Sequence, residues 1–238
     1  MSDPLTLETT VGQVAVLQPA SLDLFDRFGI DFCCGGDLTL QEAAQRAQLD
    51  PDRLLQQLQE LERKPDDRNW FDEPIEALIQ FLLDTHHPYT KEAVERLYPL
   101  MEKVARVHGD KADWMKPLAH EVRGLFAELP EHLAKEEQIL FPMILGLLGH
   151  PSHGPGPACG PEAPMQVMEL EHAHAGERWK MIRSLTHDYR VPDWACNSVK
   201  ALFAGLEALE ADMHRHILLE NSVLHPRVRR LLAEANSV

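Results

Sequence analysis

The 238-residue chain has only four cysteines, no apolar run near the ~20 residues that span a bilayer, and far fewer basic than acidic side chains. Four cysteines, two of them adjacent at Cys33 and Cys34, do not make the disulfide framework of a small secreted domain, so reduced thiols are expected. The amino terminus, MSDPLTLETTVGQ, has neither the basic start nor the apolar stretch of a secretory signal. With no candidate span either, no membrane association is expected and the expected compartment is the cytoplasm. Against 38 acidic residues stand 23 basic ones, a formal charge of −15, and no local basic cluster offsets it. A phosphate backbone would be repelled, which argues against nucleic acid as a partner. Period-two alternation is missing as well, which argues against sheets. What is present is 44% hydrophobic residues, enough to bury one large core, alone or with a small appended domain.

The organisation follows from where helical signals shorten and lengthen. Residues 1–65 carry short ones: TVGQVAVL, then PASLDLFDRFG with Pro19 near its start and Gly29 as its stop, then LTLQEAAQRAQ, then DPDRLLQQLQELE, where Asp50 caps and Pro51 takes the first helical position. None buries enough to stand alone, so one small helical domain is expected. The polar stretch RKPDDRNWFDEP, bracketed by prolines, places a linker at 66–73. Over 74–238 the apolar period lengthens into four segments, about 74–107, 115–147, 163–186 and 193–233, which reads as an all-α four-helix bundle. The Pro- and Gly-rich GHPSHGPGPACGPEAP between the second and third is a surface loop.

Stepping along each long helix by three and four gives four apolar stripes, each interrupted by histidine. The first runs Leu82, His86, Tyr89, Ala93; the second Leu129, His132, Glu136, Ile139, Met143; the third Met168, His172, Ala175, Trp179; the fourth Met213, His216, Glu220, Val223. HLAKEEQILFP and HILLENSVLHP share the form HxxxExxxLxP, so the bundle reads as two similar hairpins, each with one lone histidine and one HxxxE. Burying a carboxylate costs several kcal/mol unless it is compensated, and four histidines with two glutamates in one core call for a cation. Residues four apart share a helix face, so both members of an HxxxE pair reach one site. Two such pairs and two lone imidazoles suit two metal ions bridged by carboxylates, with room for a bridging oxygen species and an external ligand. Nitrogen and oxygen donors of this kind favour iron, with manganese and zinc as alternatives.

A single histidine in an apolar stripe is more often a core ring bonded to a carbonyl; four stripes with two HxxxE pairs tip the balance to metal. By the same stepping His87, His174 and His214 are expected to face away from the core centre. His108, His120, His187 and His225 read as surface or helix-end residues, and His150 and His153 as loop residues. Glu171, beside His172, reads as a solvated carboxylate or as a partner supporting the metal site. Cys33 and Cys34 precede two glycines, in a turn free to expose sulfur. They cannot close an unstrained disulfide with each other, and are candidate redox or iron-transfer thiols or a plain structural turn.

With DFCCGG at 31–36 followed by HLAKEEQILFP, ELEHAHAGE and HILLENSVLHP, the chain resembles the repair of iron centres family over nearly its whole length. That family comprises hemerythrin-like di-iron proteins with an amino-terminal cysteine-pair domain. The resemblance implies that His86, His132, His172 and His216 bind two non-haem irons terminally, that Glu136 and Glu220 bridge them with an oxo group, and that the protein restores iron–sulfur clusters damaged by nitrosative or oxidative stress. Oxygen-carrying hemerythrins are similar but use HxxxH on the third helix and HxxxxD on the fourth; this chain has Gly176 and Asn221 there. Ferritin-like proteins, with ExxH pairs, are further away. The expected role is iron donation to damaged or apo iron–sulfur proteins. The alternatives are reduction of nitric oxide to nitrous oxide at the same centre, or sensing of a diatomic gas such as nitric oxide or O2. The small domain is a candidate homodimer contact by fold analogy.

Overall fold

The computed structural model describes residues 5–62, 68–150 and 160–235. Part of the linker expected at 66–73 and most of the loop after His150, with His153 and Cys159, lie outside the described residues. Eleven α-helices are described: α1 (Val11–Leu17), α2 (Leu22–Phe28), α3 (Leu40–Arg46), α4 (Pro51–Gln59), α5 (Ile75–Phe81), α6 (His87–His108), α7 (Met115–Lys135), α8 (Phe141–Leu147), α9 (Glu162–Thr186), α10 (Asn197–Leu219) and α11 (His225–Ala235). Three π-helical turns, Leu82–His86, Glu136–Leu140 and Glu220–Leu224, join α5 to α6, α7 to α8 and α10 to α11. Apart from an isolated bridge between Thr10 and Thr39, the described residues form no extended pairing. No described helix is long and apolar enough to cross a membrane.

The chain divides into two compact units, Met1–Leu78 with His214–Val238, and Ile79–Met213. In the first, local chemistry sets the helix ends. Thr10 with Gln13 and Thr39 with Glu42 form capping boxes at α1 and α3, and the Asp50 carboxylate accepts the Asp52 N–H at 3.0 Å ahead of Pro51. Gly29 ends α2 with φ 66°, a left-handed turn that suits glycine. Val11, Val14, Phe25, Leu40, Leu54 and Leu58 are buried. Within the same unit α1 packs against the π turn Glu220–Leu224. Gly12 donates to the Gly36 carbonyl at 2.9 Å, and a Cβ on Gly12 would run into the Ser222 hydroxyl. Arg227 of α11 donates to the carbonyls of Trp70 and Glu73, at 3.0 and 2.7 Å, and so ties down the approach to α5.

In the second unit α7 packs between α6 and α9. Gly205 lets α10 come close to Leu97 of α6, and Glu210 of α10 accepts from Arg183 of α9 and from the Tyr189 hydroxyl, both at 2.8 Å. Four helix directions thus meet around one core, as the apolar stripes require.

The π turns decide which side chains each unit buries. Each ends two residues before the second position of the next helix, which is Pro88, Pro142 or Pro226. Proline has no N–H and its ring crowds the carbonyl four residues back. Here the residue just before each proline donates five residues back instead: His87 to Leu82, Phe141 to Glu136, His225 to Glu220. Pro99 and Pro130 sit inside α6 and α7 with no such turn, so proline is accommodated in two ways.

Each π turn inserts one residue, and α-helical stepping carried across it comes out one short. That accounts for the departures from the expected stripes. Ile139 is exposed and Met143 half-buried, while Leu140, Phe141 and Ile144 enter the core; Tyr89 gives way to Thr90. His87 and His225, expected outside the core, are 1% and 0% exposed.

Gly12→Ala is expected to lower stability by ~1–3 kcal/mol, the usual cost of forcing a methyl into a filled contact. The midpoint of urea unfolding checks this, and an unchanged midpoint would show that Ser222 yields freely.

Candidate metal centre

The second unit brings His132, Glu136 and His172 together, with one ligand atom of each within 4.8 Å of the others. His132 is in the last turn of α7, Glu136 opens the π turn that follows, and His172 lies in the middle of α9. All three are buried, Glu136 completely. Nε2 of His132 stands 3.0 Å from Glu136 Oε1 and 3.1 Å from Nε2 of His172, which is itself 3.9 Å from the same oxygen. The other Glu136 oxygen faces Nε2 of His87 at 3.4 Å.

The outer nitrogens of two of these rings are held by further carboxylates. His132 Nδ1 meets Glu171 at 2.9 Å and His87 Nδ1 meets Glu137 at 2.8 Å. Lys135 and Lys91 in turn grip Glu171 and Glu137, at 2.5 and 2.6 Å. Burial opposes ionisation of both glutamates, but the lysine and histidine hydrogen bonds outweigh it and hold both carboxyls below their ordinary range. A carboxylate at Nδ1 engages that nitrogen as its hydrogen-bond donor, fixes the ring's orientation and leaves Nε2 facing inward. Nε2 of His132 and of His87 are then the nitrogens turned towards the Glu136 carboxylate, at 3.0 and 3.4 Å. A cation resolves that convergence, and imidazole with carboxylate suits iron, so the residues fit the metal.

His86 takes a different place. Its Nδ1 pairs with Asp212 at 3.0 Å, and no cluster of metal-ligating atoms among the described residues includes it. The one-residue insertion over Leu82–His86 carries His87 to the position that α-helical stepping assigned to His86. In the first unit the second HxxxE lies at the end of α10 and the start of its π turn, both residues fully buried, with His216 Nε2 3.4 Å from Glu220 Oε2. The thiol loop is in that unit too. Sγ of Cys33 and Cys34 are 3.8 Å apart, Cys33 buried and Cys34 exposed, and Asn221, next to Glu220, donates to the Cys33 carbonyl at 3.1 Å.

Residues 78–228 match the hemerythrin HHE cation-binding domain, and 7–62 match ScdA_N, described as a domain of unknown function. An iron-sulfur cluster repair protein, YtfE, of Pectobacterium carotovorum is 38% identical over 94% of this chain and 97% of its own length. Its counterpart in Yersinia pseudotuberculosis is 38% identical over 93% and 96%. The chain belongs to the hemerythrin-like iron-sulfur cluster repair family.

For this family member the structure adds residues that stepping through the sequence did not place: His87 beside Glu136, Glu137 behind His87, and Asp212 behind His86. Glu171 takes the supporting role that was one of its two readings. The signal for His87 was present in the shared spacing of Pro88, Pro142 and Pro226, which marks the three inserted residues.

His87→Ala is expected to lose bound iron and His86→Ala to retain it, as read by metal analysis of anaerobically purified protein. Glu171→Gln, which unlocks His132, is expected to weaken iron binding by about 10- to 100-fold. Equal retention in the His87 and His86 variants would break the link between the π turn and ligand choice.

Proposed function

We propose that this chain holds two non-haem iron ions with His87, His132, Glu136, His172, His216 and Glu220, and that it helps rebuild iron–sulfur clusters damaged by nitric oxide or peroxide. The observation that carries this reading is the convergence of three imidazoles on the fully buried Glu136 carboxylate. The second HxxxE repeats the setting, with the glutamate again opening a π turn. In this reading the two glutamates bridge the ions, with an oxo group completing the bridge. The irons, when bound, supply redox-active positions open to small ligands such as nitric oxide or O2.

The protein's own groups do the rest. Glu171 and Glu137, fixed by Lys135 and Lys91, aim His132 and His87, and the apolar core keeps bulk water from the buried carboxylates. Because the imidazole aim depends on carboxylates that are 28–29% exposed at their side chains, the ligand shell can loosen from outside, which suits a donor of iron better than a permanent cofactor site. The recipients in this reading are damaged or apo iron–sulfur proteins, and the setting is the cytoplasm.

Native protein purified without air is expected to carry about two irons per chain, and the Glu136→Ala, Glu220→Ala pair to lose most of them. Iron-loaded protein should then restore cluster absorbance in an apo iron–sulfur protein. Catalytic consumption of nitric oxide with added reductant, and no iron transfer, would replace the donor reading with a reductase.

A further inference from the structure

Asp31, Cys33 and Cys34 form a second group of metal-ligating side chains, with one donor atom of each within 4.8 Å of the others. Its chemistry differs from that of the buried histidines, since two sulfurs and one carboxylate oxygen make a softer set. The loop sits between α2 and α3, and its form is locked. Asp31 Oδ1 accepts the backbone N–H groups of Cys34 and Gly35, at 2.9 and 3.2 Å, and Asn221 holds the Cys33 carbonyl.

The distances suit one tetrahedral ion. Two thiolates bound at ~2.3 Å with tetrahedral angles have sulfurs ~3.8 Å apart, and a carboxylate oxygen at ~2.0 Å lies ~3.5 Å from each sulfur. Here Sγ of Cys33 is 3.8 Å from Sγ of Cys34 and 3.4 Å from Asp31 Oδ1. Neighbouring cysteines are poorly placed to consume one another as a disulfide, so both sulfurs stay available. With Cys33 buried and Cys34 exposed, the group faces solvent on one side only.

We propose that Asp31, Cys33 and Cys34 are a three-ligand tetrahedral site for a thiophilic divalent cation of the zinc or ferrous type, its fourth corner open to water or to an incoming ligand. Both cysteines bind as thiolates, so uptake of one M2+ releases their two protons. The crowding that keeps the Cys33 thiol protonated without a cation, from Cys34 first, then burial and Asp31, is relieved by the ion's charge. This site goes beyond the proposed function and does not depend on it, because it uses none of the histidine or glutamate ligands.

Titration of the full chain with Co2+ alone tests the site, read by the thiolate-to-cobalt charge-transfer absorption in the near ultraviolet. One equivalent should develop the band, and Zn2+ should bleach it. Cys34→Ser, at an exposed position, should weaken Co2+ binding at least tenfold. Asp31→Asn keeps an oxygen to cap the loop and should do the same. His132→Ala, which disables the histidine site, should leave the band intact; its loss there would assign the thiolates to the histidine centre and overturn the proposal. No band, a band surviving both Cys33→Ser and Cys34→Ser, or wild-type affinity in Asp31→Asn would overturn it equally. Iron content of the histidine site is a separate measurement, so the two readings fail separately.

Discussion

A fully buried carboxylate keeps its charge only if something nearby compensates for the water it has lost. Glu136 is in that position, and the second unit is arranged around it. Two relays run inward to it from partly exposed lysines: Lys135 to Glu171 to His132, and Lys91 to Glu137 to His87. In each, alternating charge and hydrogen bonding fixes a ring so that one nitrogen is spoken for outside and the other is offered inside. His172 arrives from α9 and meets His132 directly. The interior therefore collects nitrogen and oxygen atoms able to bind a cation, and the outer shell collects the groups that orient them. An apolar stripe would be cheaper to fold, and only a bound cation makes this arrangement the better one.

The aim of those donors rests on helices that are not regular. In an α-helix the residues four and five after a given position point about 100° apart, so one inserted residue exchanges which of two neighbours faces inward. At Leu82–His86 the exchange brings in His87 and turns His86 to Asp212; at Glu136–Leu140 it brings in Phe141 and turns Ile139 outward. The glutamate opens its π turn in both HxxxE motifs, so its carbonyl is the one that accepts the five-residue bond. Ligand and irregularity are then one local structure, and the downstream proline makes return to the α-helical register unfavourable.

Much of this was legible in the residues. The four long segments and the caps at Asp50 and Gly29 follow from patterns whose period or chemistry is local. His132 and His172 were legible because each lies on a regular helix, and Glu136 because it opens its π turn, ahead of the register shift. His87 and His225 were not, since a period of 3.6 carries no memory of an extra residue upstream. Asp212, Glu137 and Asp31 were not either: an aspartate or glutamate on a helix face or in a turn looks the same whether it meets solvent or an imidazole. Only the packing of α6 and the turn before it against α7 and α10 gives Glu137 and Asp212 their partners, while Asp31 finds its own inside the thiol loop.

Asn221 connects two features that look separate along the chain. It holds the position where oxygen-carrying hemerythrins place an aspartate ligand, and an amide is a poor substitute for a carboxylate on a metal. What the amide supplies instead is an N–H, which the Cys33 carbonyl accepts. A carboxylate at 221 would set like polarity against that carbonyl and lose this hydrogen bond. On the other side of the same π turn Ser222 fits against Gly12 and Gly36, where no side chain larger than hydrogen leaves it room. The residues following Glu220 are thus given over to seating the thiol loop, Asn221 through the Cys33 carbonyl and Ser222 through the two glycines. The departure from the oxygen-carrier pattern is in that sense a gain of attachment, made at a turn whose geometry the buried glutamate already requires.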